Sequence, residues 1–406
     1  MSGLPAPSLE ITTLVLGMAI LLLDTFASKL DKKVIAYIGI SGLVLVFVAT
    51  FFLAPSPLAT EANGLWHFYT ADALSVFFKR FALITTAVVI VMMIDYSRAV
   101  PDPAGEASHL GEFFALPVLT CAGLMYLVSA IDFIFIFVAL ELVTISFFVL
   151  VSFPRRNGTA LEAGVKYLVL SSLSTGFLVY GITWIFGVTG ETNLPRITTA
   201  LAGGGIDSNA ATFGAVLVLV GLGFKIAAVP FQIWVPDVYQ GAPTPVTAFL
   251  SVGSKAAGFV VVLRVLQPFL MLPNIQRLVV LIALLTMLYG NLAALPQNNL
   301  KRLLGYSSIA HAGYLLIGVA CFDGSAVVFY LCAYLLMTLL SFAVMILVAH
   351  NTGEDISNFN GLATRAPFLA FAMLLAMASL AGLPFTVGFF GKFFIFVSAV
   401  AHKQTA

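Results

Sequence analysis

Charge is scarce in this chain. Only 9% of its 406 residues are charged, and 19 Lys plus Arg nearly cancel 18 Asp plus Glu. That balance carries no basic or acidic field, and no nucleic-acid partner is expected. Cysteine is scarce too: Cys121, Cys321 and Cys332 show no CxxC spacing, which argues against disulfides, metal centres and iron–sulfur clusters on the chain. There is no P-loop and no GxGxxG following a strand, so no nucleotide or flavin domain is expected. The opening "MSGLPAPSLE" has no basic n-region and no small-residue cleavage site. No cleaved signal peptide is expected, and the first apolar segment should itself direct insertion. Long polar segments are missing as well. The longest loops, 54–70, 95–111, 188–210 and 350–366, are too short to fold alone.

What remains is apolar. Hydrophobic residues make up 61% of the sequence and the mean hydropathy is +1.06. A bilayer-spanning helix needs about 20 mostly apolar residues, and a span must satisfy its backbone internally as a helix or a closed barrel. The apolar runs are long and continuous rather than short and alternating, which selects helices. The fold class is therefore an all-α membrane protein. Punctuation by polar, Gly and Pro residues gives about twelve spans, near 9–28, 34–54, 72–94, 112–129, 131–153, 162–187, 211–233, 245–267, 277–296, 302–322, 325–349 and 367–400. Loops after odd-numbered spans carry nine Lys or Arg, among them Lys32, Lys33, Arg155, Arg156, Lys301 and Arg302; the other side carries Arg196, Arg277 and Lys403. This bias places the odd loops in the cytoplasm and the N-terminus outside.

Ionisable residues inside the spans are the informative ones, because charge at membrane depth costs a few kcal/mol or more. Asp24, Lys79 and Arg80 lie toward span ends and read as side chains snorkelling to the headgroups in preference to a functional role. Glu141, in "IDFIFIFVALELVTISFFVLVSF", sits mid-span, either as a proton-path carboxylate or as a structural partner for a buried cation. Lys225 lies in "GLGFKIAAVPFQIW", five residues before Pro230. Proline lacks an N–H, so the Ile226 carbonyl should lose its helical partner, and such irregular backbone is tolerated only beside protein or a wet cavity. Burial and a nearby carboxylate such as Glu141 act on a lysine in opposite senses, a balance suited to a proton carrier. Lys255 is likewise surrounded by Pro243, Pro245, Gly253 and Gly258.

The last span repeats the theme. In "LAGLPFTVGFFGKFFIF" the break at Gly382 and Pro384 comes before Lys392, whereas Lys225 precedes its break. A broken helix with an ionisable residue once in each half, in reversed order, suggests inverted repeats of about five helices. The expected organisation is a single membrane domain, 1–406. Spans one to three occupy 1–111, a first repeat 112–267, and a second repeat 277–406. His311, in "YSSIAHAGY", reads as a satisfied buried polar group or as a relay member between Lys255 and Lys392. Glu162 and Lys166 form an i,i+4 pair at a helix start, serving either that helix end or the tuning of Glu141 or Lys225.

These stretches carry a resemblance. "GLGFKIAAVPFQIWVPDVYQGAPTPVTAFLSVGSKAAGF", "FVALELVTISFFVLVSF", "EAGVKYLVLSS", "NLKRLLGYSSIAHAGYLLIG" and "LAGLPFTVGFFGKF" together resemble the antiporter-like subunits of respiratory complex I from about residue 68 to 396. "PDVYQGAPTPV" is closer to the N branch than to the L or M branches. The resemblance implies two half-channels joined by a polar axis at mid-membrane. Glu141 would be the carboxylate of the fifth helix and Lys225 the lysine of the broken seventh. Lys255 would be the bridging lysine of the eighth, His311 a relay residue of the tenth, and Lys392 the lysine of the broken twelfth. Pro230, Pro384 and Lys166 would support them. It also implies neighbouring membrane subunits, quinone reduction elsewhere in the complex, flavin and iron–sulfur clusters on partner subunits, no cofactor on this chain, and a bacterial cytoplasmic membrane. The family pattern has fourteen helices, so the second repeat is expected to be incomplete and the sequence partial. Two other classes are compatible with the same lysines: a cation/proton antiporter subunit without redox partners, and a purely structural membrane subunit.

Overall fold

Runs of Leu, Val, Ile and Phe long enough to cross a bilayer become helices because only a helix pairs every backbone group within the segment. The computed structural model describes residues 7–27, 31–52, 67–99, 110–269 and 272–401. The opening six residues, Lys29, and the stretch 402–406 with Lys403 lie outside the described residues, as do most of the loops 54–70 and 95–111.

The helices run in order as α1 (Ser8–Phe26), α2 (Lys32–Ala49), α3 (Ala73–Ala99), α4 (Leu110–Ser129), α5 (Phe133–Val151) and α6 (Gly158–Thr189). A short α7 (Leu194–Ala202) follows, then α8 (Ser208–Ile226), α9 (Val235–Gly241) and α10 (Thr244–Phe249). The chain continues through a π-helical segment, Leu250–Ser254, into α11 (Lys255–Leu266). The rest is α12 (Pro273–Ala294), α13 (Leu300–Ala320), α14 (Gly324–Thr352), the single turn α15 (Leu362–Arg365), α16 (Pro367–Ala381) and α17 (Val387–Ala401). Among the described residues, eleven segments are long and apolar enough to cross a membrane. The half-length helices α16 and α17 supply the segment expected as the twelfth span, divided at its break.

Helix starts follow local chemistry. Asp31, Asp132, Asn157, Asp207, Asn299 and Asp323 each accept a bond from a first-turn N–H, satisfying donors that have no intrahelical partner. Packing is closest between α12 and α13 and between α6 and α8, while α3 lies against α10 and the π-helical segment.

The two breaks end their first halves alike. At the end of α8, Ala228 N–H donates to Gly223 O at 2.8 Å and Ala227 N–H to Phe224 O at 3.1 Å. At the end of α16, Leu383 N–H donates to Ala378 O and Gly382 N–H to Ser379 O, both at 3.0 Å. This is a Schellman motif, which requires a left-handed residue after the helix. Gly382 (φ 84°) meets the requirement without a Cβ, whereas Ala227 (φ 62°) meets it with one. The expectation that Pro230 itself breaks the seventh span is thereby corrected. The helix has already ended at Ile226, and Pro230 lies within the connecting turn; Pro384 likewise follows a helix that has already ended.

Side chains expected to snorkel have protein partners. Lys79 and Glu10 are fully buried and paired at 2.8 Å. Arg80 donates to Thr50 Oγ1 (2.9 Å) and Thr50 O (3.1 Å) and stacks over Phe51. Asp24 pairs with Lys32 across the α1–α2 turn. Hydropathy reports where a charge stands along a span but not which neighbour meets it, and a charge with a protein partner has no need to reach the headgroups.

Candidate functional site: a polar line through the membrane helices

Glu141 lies on the same face of α5 as the exposed Ile134, Val138 and Ile145. It is half-buried and accepts a 2.6 Å bond from Thr175 Oγ1 of α6. Lys225 is the second-last residue of α8, next to the break. A helix C-terminus tolerates a cation because its carbonyls point outward. Its Nζ is buried with no hydrogen-bond partner among the described residues, and lies 5.9 Å from the Phe147 ring centroid. Phe147 belongs to α5, the helix that carries Glu141. The break beside it is pinned from outside: Trp234 Nε1 donates to Phe224 O at 3.0 Å, and Val229 N–H to Thr286 Oγ1 at 3.0 Å.

Lys255 opens α11 directly after the π-helical segment, a distortion that recurs at functional positions. Its neighbour one turn on, Gly258, lies against the stem of Lys225; a Cβ there would stand 3.4 Å from Lys225 Cγ. Lys255 Nζ donates to Ser308 O at 2.6 Å and to Ser308 Oγ, and sits 5.7 Å from the Tyr334 ring centroid. Ser308 Oγ also meets Tyr239 Oη at 3.3 Å. One turn further along α13, His311 Nδ1 meets Tyr330 Oη at 2.5 Å. Its ring packs on Tyr334, Tyr330 and Tyr314. Lys392 Nζ lies 4.7 Å over the Tyr314 ring and donates to Leu380 O (3.0 Å) and Ala381 O (3.1 Å), the carbonyls left open where α16 ends.

The five residues expected along the axis therefore lie on successive neighbouring helices. Lys255, His311 and Lys392 are linked through Ser308, Tyr334 and Tyr314; Lys225 joins them by helix packing, without a hydrogen bond among the described residues. The tyrosines were missed by sequence reasoning. Tyr330 and Tyr334 share one face of α14 at i,i+4 and are buried. Membrane tyrosines usually collect at the interfaces, so two on one face within a span were a readable signal.

Lys166 is placed elsewhere. It forms the expected pair with Glu162 (2.8 Å) and a second with Asp237 (2.8 Å), whose other oxygen meets Arg302 Nη1 at 2.7 Å. Lys166 therefore belongs to an ionic cluster at the ends of α6, α9 and α13, beside a cleft of 330 Å³, and touches neither Glu141 nor Lys225. Lys301 pairs with Glu354 at 2.9 Å close by. Burial raises the Asp237 carboxyl, but the bonds from Lys166 and Arg302 outweigh it and hold it below the ordinary carboxylate value. A folded value below the unfolded one stabilises fully above the unfolded pKa of about 4, and that contribution is lost as pH falls through the lowered value. Replacing Asp237 by Asn should lower the stability at pH 7 by what a partly exposed pair supplies, about 0–1 kcal/mol. It should also flatten the acid limb of the stability profile. Melting curves of the purified protein from pH 3 to 8 check this; an unchanged acid limb refutes it.

Comparison with known proteins decides the family. Residues 130–406 match the family model described as NADH:quinone oxidoreductase/Mrp antiporter, TM. The chain belongs to this family. It is 40% identical to NADH-quinone oxidoreductase subunit N of Trichlorobacter lovleyi, over 96% of this chain and 80% of that one. It is 38% identical to the subunit N of Chlorobium chlorochromatii, over 97% and 78%. Among solved structures it is similar to a chain of respiratory complex I from Thermus thermophilus, with a TM-score of 0.80, 32% identity and coverage of 97% and 83%. It shares its fold with a chain of an archaeal membrane-bound sulfane sulfur reductase, with a TM-score of 0.82, 24% identity and coverage of 96% and 81%. As a member of this family it is a multi-pass membrane protein.

Proposed function

We infer that the chain is a proton-translocating membrane subunit of an NADH:quinone oxidoreductase, carrying no redox chemistry itself. The observation that carries this reading is the placement of Glu141, Lys225, Lys255, His311 and Lys392 on adjoining helices, with hydroxyl side chains linking Lys255, His311 and Lys392. Ionisable groups at membrane depth are costly, and a buried charge left without a hydrogen bond, as at Lys225, does not repay its burial by stability. Protons would pass between these groups, with Ser308 and Tyr330 able to donate and accept. The driving force would come from quinone reduction in partner subunits that hold the flavin and iron–sulfur clusters. Half-buried Glu141 and Lys392, at opposite ends of the line, would face neighbouring membrane subunits. The excess of Lys and Arg in odd-numbered loops supports an N-terminus outside a bacterial cytoplasmic membrane. The halves 112–267 and 277–406 would act as inverted repeats, a reading supported by the shared Schellman ends of α8 and α16.

Affinity purification from mild-detergent membranes, followed by peptide mass spectrometry and an NADH:quinone activity assay, tests the assignment. Flavin and iron–sulfur subunits should co-purify with activity. Recovery with only hydrophobic antiporter-like chains and no redox activity would make it a cation/proton antiporter subunit instead.

A further inference from the structure

A second ionisable group of residues lies away from the Glu141–Lys392 line, between α1, α3 and the segment leading into α3. Glu10 and Lys79 are both fully buried and 2.8 Å apart. Lys79 Nζ donates to Tyr69 Oη at 2.6 Å, and Tyr69 Oη donates to Glu10 Oε1 at 2.9 Å. The hydroxyl thus closes a triangle with the ammonium and the carboxylate, its proton directed at the carboxylate. Glu10 Oε2 is buried without a hydrogen-bond partner among the described residues. So are Thr70 Oγ1 and Ser129 Oγ, on two strands of chain joined by the 2.8 Å bond from Thr70 N–H to Ser129 O. A buried ion pair is weak support for stability, since apolar residues of similar shape often serve as well, and an intramembrane ionisable residue points to function by default.

We propose that Glu10, Tyr69 and Lys79 form a second proton-exchange site. The Lys79 ammonium passes a proton to the Tyr69 oxygen as the Tyr69 hydroxyl proton passes to Glu10 Oε1. The ion pair becomes a neutral amine and a neutral carboxylic acid, Tyr69 is regenerated, and net charge is unchanged. Neither state leaves a lone buried charge, so the exchange needs no counter-ion. The site has two physical connections to Lys255. Helix α3, which carries Lys79, packs against the π-helical segment that leads into Lys255. Asp72, three residues after Tyr69, holds Arg264 of the Lys255 helix at 2.6 Å. The charge state of the triad thereby biases the position of α11. This last step rests on the proton-translocating reading above.

The assembled complex in proteoliposomes provides the test, with proton uptake and NADH oxidation measured together across pH. Tyr69→Phe removes the bridging hydroxyl and leaves the ion pair; E10Q/K79M removes both ionisable groups and keeps their shape. Each should lower coupled proton uptake by roughly twofold to tenfold and alter its pH profile. Wild-type uptake and an unchanged profile in Tyr69→Phe overturn the proposal, whether or not the double variant assembles. Lys225→Met serves as the separate control. If it pumps normally, the proton path assigned through Lys225 fails, and with it the reading on which this proposal rests; if it is inactive while both triad variants match wild type, only the present proposal falls.

Discussion

Lys225→Met should abolish coupled proton movement while the complex still assembles. Methionine has nearly the reach of lysine and no charge. Lys225 Nζ has no hydrogen-bond partner among the described residues, so its removal orphans no buried acceptor, and the cost of holding an ammonium inside the bundle disappears. Assembly should be unchanged or improved. Proton translocation should fall by about a hundredfold or more, the scale set by losing a positioned proton-transfer group. Lys225→Arg separates charge from proton release. A guanidinium stays protonated, so it supplies the cation but cannot give up its proton. It should fail like methionine if Lys225 is a carrier, and should work if only positive charge is needed. Dye-quenching measurements in proteoliposomes, beside native gels for assembly, read both. Full pumping by the methionine variant would remove Lys225 from the proton path.

The second large effect is steric. Gly290 of α12 faces Ala310 of α13, and a Cβ at that position would come 2.4 Å from the Ala310 nitrogen and 2.8 Å from its Cα. These are backbone atoms of the opposing helix and cannot rotate aside. Small residues at such contacts are what let membrane helices approach closely. Gly290→Val should therefore force α12 and α13 apart at a cost of about 3 kcal/mol or more. The damage would reach function as well as folding, because Ser308 and His311 flank Ala310. Little assembled complex should be recovered. Gly176→Val is the control: a Cβ at Gly176 meets nothing within 4 Å, so that variant should assemble normally. Equal recovery of both variants on native gels would show that α12 and α13 can separate without loss.

Much of the fold was legible in the sequence because hydropathy and length act residue by residue. An apolar run of about 20 residues is excluded from water whatever it packs against, so the segments of α1 to α6 were recovered to within a few residues. The breaks near Lys225 and Lys392 were visible from Gly and Pro, but their cause at the seventh span was misassigned. Proline was credited, whereas Ala227 in the left-handed conformation ends the helix three residues earlier. Alanine gives no sequence signal for that conformation.

Partners were the part that only the tertiary structure decided. The sequence by itself determined an all-helical membrane protein with Glu141, Lys225, Lys255, His311 and Lys392 inside its apolar segments, because the cost of a buried charge is a property of one residue and its segment. Which group meets that charge is a property of two helices. So Lys79, read as reaching for the headgroups, is paired with Glu10 sixty-nine residues earlier. Lys166, read as serving either its helix end or the tuning of Glu141 or Lys225, faces Glu162 and Asp237 and, across Asp237, Arg302. The tyrosines of α13 and α14 become links between Lys255, His311 and Lys392 only once those helices are packed together. A helix presents side chains in every direction around its axis, and its own sequence does not say which neighbour will fill each one.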